Sequence, residues 1–241
     1  MALVEHRSRW RTAANVTGDV LVTLGLVLAL FVAYEVWGKT GVIKEHQGAL
    51  DRELVRAWTP PPAEPAIPRD PAAVTTSAEP PPVEDTTPPA PRRTALGRLS
   101  LPRLGLRWVL VEGVTQDLLE HAPGHYPGSA MPGELGNFAV AGHRNPGLFW
   151  DLDLVREGDF AVVETSDTWF VYRVYRIHVV APTAVEVVAA EPGRPRAAPT
   201  KARMTLTTCN PKLNNYERLV VHAELDHSLP KASGTPRELE G

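Results

Sequence analysis

The chain has 241 residues, 43% of them hydrophobic, with 24 prolines, one cysteine and a formal net charge of −3. A single thiol excludes an intramolecular disulfide and the multi-cysteine zinc patterns, and the slightly acidic balance gives no electrostatic footprint for nucleic acid. The length allows one or two domains, and the way composition changes along the chain lowers that number.

The first element is apolar. Val20 to Ala33 is almost wholly hydrophobic, and extension to residues 16–37 gives about 20 residues, the length a helix needs to span hydrocarbon. Asp19 and Glu35 then fall near the two interfaces, with Tyr34 and Trp37 as aromatic anchors. A cleaved leader would need a small-x-small site after the apolar run, and "VAYEVWGK" carries bulky residues there. Arg7, Arg9 and Arg11 precede the run, while only Lys39 and Lys44 follow closely. This bias predicts a single-pass helix at the cell membrane, with residues 1–15 in the cytoplasm and the bulk of the chain outside.

Residues 38–58 place Ile43, Leu50, Leu54 and Trp58 at helical spacing, predicting a juxtamembrane helix or a short dimerising seam. Composition then changes sharply. Twelve of the 24 prolines lie between Thr59 and Pro91. Such a stretch buries too little apolar surface to offset its ordering entropy. It predicts a disordered linker over residues 59–92, a spacer of up to roughly 100 Å if extended as polyproline II. A binding site for proline-recognition domains is the alternative.

Residues 93–227 are enough for one core. "RLSLPRLGL", "RWVLVEGV", "GNFAVAGHR", "DFAVVETSD", "WFVYRVYRIHVVA", "ARMTLTTC" and "YERLVVHAEL" read as strands bounded by Gly, Pro and Asp. "TQDLLEHA", with Thr115 as a cap, and "GLFWDLDLV" are the helical candidates. The pattern predicts an all-β fold, a closed or nearly closed barrel of about eight strands with a few short helices. Residues 228–241 read as a disordered tail.

Alternation assigns faces. Met204 and Leu206 share one side of their strand, and Thr205, Thr207 and Cys209 the other; Leu219, Val221, Ala223 and Leu225 form an apolar face opposite Arg218. If these strands pair through "NPKLNNYE", Cys209 and Arg218 can face one groove. A thiol attacks only as thiolate, so it needs a nearby imidazole or guanidinium near neutral pH. Among eight histidines, His178 and His222 lie within strands. His121 and His125 are separated by Pro123 and Gly124, which forbid a helical metal pair. His143 ends a strand of small residues and enters a Gly/Pro-rich loop, where functional residues concentrate. Pattern alone leaves both a catalytic pair and an inert buried thiol open.

The motifs resemble a known family. "TLTTC" is similar to the TLxTC signature of sortases, "AGHR" to their histidine motif, and "ERLVV" to the segment that supplies their arginine. The order His143, Cys209, Arg218 is the family's order. "GHYPGSAMPGELGNFAVAGHRN" looks most like class E, the housekeeping type of many actinobacteria. The resemblance covers about residues 95–227. It implies a sortase barrel and a cysteine transpeptidase with Cys209 as nucleophile, His143 as acid and base, and Arg218 holding substrate or oxyanion. It further implies cleavage of an LAxTG or LPxTG sorting motif between Thr and Gly, through a thioacyl enzyme resolved by a peptidoglycan cross-bridge amine. The partners would be secreted proteins bearing that motif. Tyr126, Thr207, Thr208 and Asn145 are its candidate substrate contacts. Asn145 stands where the family often has Thr, and Asn210 where class E often has His. Nothing resembles the acidic calcium site of some class A enzymes, so no metal and no cofactor is expected. The alternatives are a pilin-polymerising sortase, a hydrolysing thiol protease, and an inactive barrel used for binding or scaffolding.

Overall fold

A computed structural model of the chain describes residues 17–31, 34, 39–59 and 94–240. The ordered body is a closed eight-stranded barrel. Its strands are β1 (Ala95–Leu101), β2 (Leu106–Glu112), β3 (Gly124–His125), β4 (Gly136–Ala141), β5 (Phe160–Glu164), β6 (Thr168–Val180), β7 (Ala202–Asn210) and β8 (Glu217–Pro230). They close in the order β1-β2-β3-β4-β7-β8-β6-β5. The "RLSLPRLGL" run is β1 and the single 3-10 turn that Pro102 opens after it, and "RWVLVEGV" supplies most of β2. Two pairings are parallel, β2 with β3 and β4 with β7; the others are antiparallel.

The predicted alternation sets the inside of the barrel. Met204 and Leu206 from β7 and Leu219, Val221 and Ala223 from β8 are buried in one core with Leu99, Leu110, Phe138, Val140 and Tyr172. Thr115 stands at the N-cap of the short helix α3 (Gln116–Leu119) with extended backbone, but makes no capping bond.

The helix predicted before the linker is α2 (Lys39–Trp58), and it is docked on the barrel. Ile43 enters the main core, and Leu50 and Leu54 form a second cluster with Val109, Val111 and Leu118. Each such burial contributes roughly 1.5–3 kcal/mol. Gln47 acts as a piece of strand. Its side-chain oxygen accepts from Val109 N at 2.6 Å and its amide donates to the carbonyls of Val109 at 3.3 Å and His121 at 3.0 Å. It thus pairs β2 where β3 is too short to reach. At the helix's far end Asp51 accepts from Arg98 at 2.5 Å, and both Arg98 and Lys231 lie over the Trp58 ring.

One expectation changes. The tail is not disordered from residue 228: Ser228, Leu229 and Pro230 continue β8 against Phe170, Trp169 and Thr168 of β6. Lys231 then reaches Glu164 at 2.7 Å, and two 3-10 turns carry the chain to Leu239. Backbone pairing and ion pairs such as Lys231–Glu164 hold this end where apolar periodicity is absent. The linker, by contrast, lies outside the described residues, as does the N-terminal segment 1–15. Residues 17–31 form a helix, α1, with exposed apolar side chains. Among the described residues no helix is long and apolar enough to cross a membrane; residues 16, 32–33 and 35–37 of the expected span lie outside them.

Candidate active site

The parallel pairing of β4 and β7 builds the site. Ala141 is in register with Thr207, and Gly142 N donates to Thr207 O at 3.0 Å. Parallel neighbours end at the same edge, so two further residues on each strand bring His143 alongside Cys209. Both line one cleft of about 940 Å³, shared with Gln116, Glu120, Asn145 and Tyr216. Gly142 is needed at the exit from β4, because a Cβ there would lie 2.6 Å from the Phe149 ring.

Cys209 is half-buried. Its cross-strand partner on β8 is Arg218, in direct register. Directly opposed residues project to one face of a sheet, so the Arg218 side chain leaves β8 on the same face as the thiol. Its Nη1 donates to the carbonyls of Asn215 and Glu217, both at 2.9 Å. Arg218 does not line the cleft itself. The β7–β8 connection ahead of it holds Leu213 in the left-handed region, at φ +68°, uncommon for a bulky side chain.

His143 is half-buried, and burial pushes its pKa below the ordinary value, against the opposing pull of the Glu120 carboxylate. Gln116 Nε2 lies 3.1 Å from His143 Nε2. With that amide nitrogen as donor, His143 Nε2 is the acceptor and the proton of the neutral ring sits on Nδ1. Neither Gln116 nor Arg144 was singled out by the sequence. Arg144 is buried, and its fork reaches Cys209 O at 3.2 Å, Asn210 Oδ1 at 2.8 Å and Asp153 Oδ1 at 3.0 Å. Its position directly after His143 was the one available signal.

The remaining candidates separate. Asn145 lines the cleft, with a buried Oδ1 that has no protein donor. Tyr126 OH and Thr207 Oγ1 are 3.1 Å apart, away from the cleft wall. Thr208 is a correction: it follows the inward parity of Met204 and Leu206, is only 3% exposed, and its hydroxyl is buried without a partner. It belongs to the barrel interior rather than to a substrate surface. His222, also buried, bonds Thr205 Oγ1 through Nδ1 at 2.9 Å. Burial first, then His178, Arg176 and Arg203, push its pKa down to about 4. Among the described residues no group of three or more His, Cys, Asp or Glu is placed to hold a metal.

A thiol and an imidazole at one cleft, with a guanidinium in register, can carry out acyl transfer. Comparisons with known proteins agree with this chemistry. A family model for the sortase domain matches residues 99–226. Sortase SrtE2 of Streptomyces coelicolor is 31% identical over 224 residues, spanning 88% of this chain and 82% of that protein. Among solved structures, the SrtA sortase from Actinomyces oris shares 36% identity at a TM-score of 0.59, covering 61% of this chain and 88% of its own. Sortase E1 from Streptomyces coelicolor, with a tripeptide in its active site, shares 31% identity at a TM-score of 0.56, covering 60% and 96%.

Proposed function

The chain belongs to the sortase family of cysteine transpeptidases, and from that membership we propose that it is a membrane-anchored enzyme working outside the cell. It cleaves an LAxTG- or LPxTG-like motif near the C-terminus of secreted proteins, between Thr and Gly. It then joins the new end to an amine of the peptidoglycan cross-bridge. The observation that carries the chemistry is the placing of His143 and Cys209 at one cleft by the parallel β4–β7 pair. α1, apolar and exposed, supports the anchor, and Arg7, Arg9 and Arg11 ahead of it support an inside N-terminus.

In this mechanism the Cys209 thiolate attacks the threonine carbonyl carbon. The tetrahedral intermediate collapses, the C–N bond breaks, and the departing glycine amine takes a proton from the His143 imidazolium. The remaining thioester is attacked by the incoming amine, which gives its proton back to His143 as the C–S bond breaks. Arg218 uses Nη1 on the loop carbonyls and offers its other N–H groups to the carbonyl oxygen as it gains charge. Asn145, on the cleft wall, lies along the path of the bound peptide.

The test uses the full chain in detergent with a quenched LAxTG peptide, with and without a glycine nucleophile. Ligated product is expected, and is lost in Cys209→Ala and His143→Ala. Activity retained in Cys209→Ala sinks the mechanism; cleavage without ligation makes the protein a hydrolase.

A further inference from the structure

The helix of residues 17–31 is apolar on every side. Leu21, Val22, Leu24, Leu26, Val27 and Leu30 are each 58–71% exposed, and at 100° per residue they surround the axis. A groove in a partner protein covers one face of a helix; lipid covers all of them. Three residues beyond Phe31, Tyr34 lines the same cleft as His143 and Cys209. Three residues span at most about 10 Å. The apolar helix therefore ends beside the mouth of the cleft.

The chain then docks instead of leaving. α2 carries Val42 and Ile43 into the wall of that cleft and is fixed along its length by Gln47, Leu50, Asp51 and Leu54. Trp58 at its end and Ala95 at the start of β1 both pack on the Leu50–Leu54–Val109 cluster. The chain leaves the barrel and rejoins it at one place. What lies between those two points does not set the distance from the helix of residues 17–31 to the cleft. The cleft mouth also carries exposed apolar side chains: Leu213 is 87% and Tyr216 72% exposed on the β7–β8 connection.

We infer that the cleft holding Cys209 opens at the lipid surface, with Tyr34, Leu213 and Tyr216 against the headgroup region and α2 as the strap that fixes the barrel there. This rests on the membrane-anchored reading proposed above. It replaces the expectation that the proline-rich stretch carries the barrel far from the membrane. The occupant of the apolar rim is the bilayer, and the reactants that meet such a cleft are those confined to the membrane surface.

The single sulfhydryl supplies the test. The full chain is reconstituted into phosphatidylcholine–phosphatidylglycerol vesicles, with a small fluorophore on Cys209 as a position marker. Quenching by headgroup nitroxides is then measured. Strong quenching is expected, unchanged when residues 60–93 are replaced by a short Gly-Ser link, and relieved when a flexible insert separates Tyr34 from Lys39. A chain that floats with the vesicles yet stays unquenched overturns the inference. So does quenching that rises when residues 60–93 are removed. A chain that fails to float overturns the anchored reading itself, and this inference with it.

Discussion

Arg144 donates through Nη1 to the backbone carbonyl of Cys209 at 3.2 Å, tying the loop after β4 to the end of β7. The same nitrogen reaches Asn210 Oδ1, and Nη2 pairs with Asp153. One buried guanidinium thus fixes the spacing of the two strand ends that carry His143 and Cys209.

Arg144→Ala is expected to lower kcat by about 10–100-fold, the effect of a misplacement of order 1 Å, with a smaller change in KM. Arg144→Lys, which keeps the charge and loses the fork, falls between. Steady-state kinetics on the sorting peptide decide this; an unchanged kcat in the alanine variant removes the positioning role.

The Gln116–His143 contact makes a prediction about pH. An amide that donates to Nε2 favours the neutral ring, so protonation requires the amide to turn and offer its oxygen. Gln116→Glu puts a carboxylate there and raises the imidazole pKa. The limb of the pH–rate profile that reports His143 is expected to move to higher pH. Glu120→Gln, which removes a charge that now raises that pKa, moves the same limb lower. Profiles that coincide with the parent in both variants contradict the assignment of this limb to His143.

His222 gives the barrel an acid-sensitive point. Its folded pKa, pushed down to about 4, lies below the ordinary 6.5. The unfolded chain therefore takes up the proton first as pH falls. Stability is complete above pH 6.5 and declines between 6.5 and 4, by up to about 3 kcal/mol. Urea unfolding across that range is expected to show the slope in the parent and a flatter one in His222→Gln. Equal slopes would place the acid sensitivity elsewhere.

Because α2 covers the Val109–Val111–Leu118 cluster, it belongs to the folded domain. Leu54→Ala is expected to cost about 2–5 kcal/mol. A chain beginning at residue 94 is expected to melt well below one beginning at residue 39. Equal melting temperatures would show that the barrel closes without its strap.

Much of this was legible in the residues. Period-2 alternation in β7 and β8 gave the inward set of Met204, Leu206, Leu219 and Val221, and put Cys209 on the outer face. The same alternation places Thr208 inward, a signal that the motif's own pattern masked. The spacing of Ile43, Leu50, Leu54 and Trp58 showed an apolar stripe on α2, but a stripe does not name what it packs against. The β4–β7 register, the reach of Gln116 and the fork of Arg144 are long-range facts with no local periodicity. The continuation of β8 past His227 depends on backbone pairing with β6, which side-chain pattern does not encode.

The parallel neighbours at positions 141 and 207 belong to strands made far apart in time during synthesis. β5, β6 and the connection after them must emerge before β7 can join β4, and such non-local pairing forms late. A chain in which β7 has emerged but not yet joined β4 therefore carries a sulfhydryl with no proton-transfer partner beside it. The protein has no transpeptidation site until closure is complete, so the appearance of turnover is itself a clock for the joining of β4 and β7.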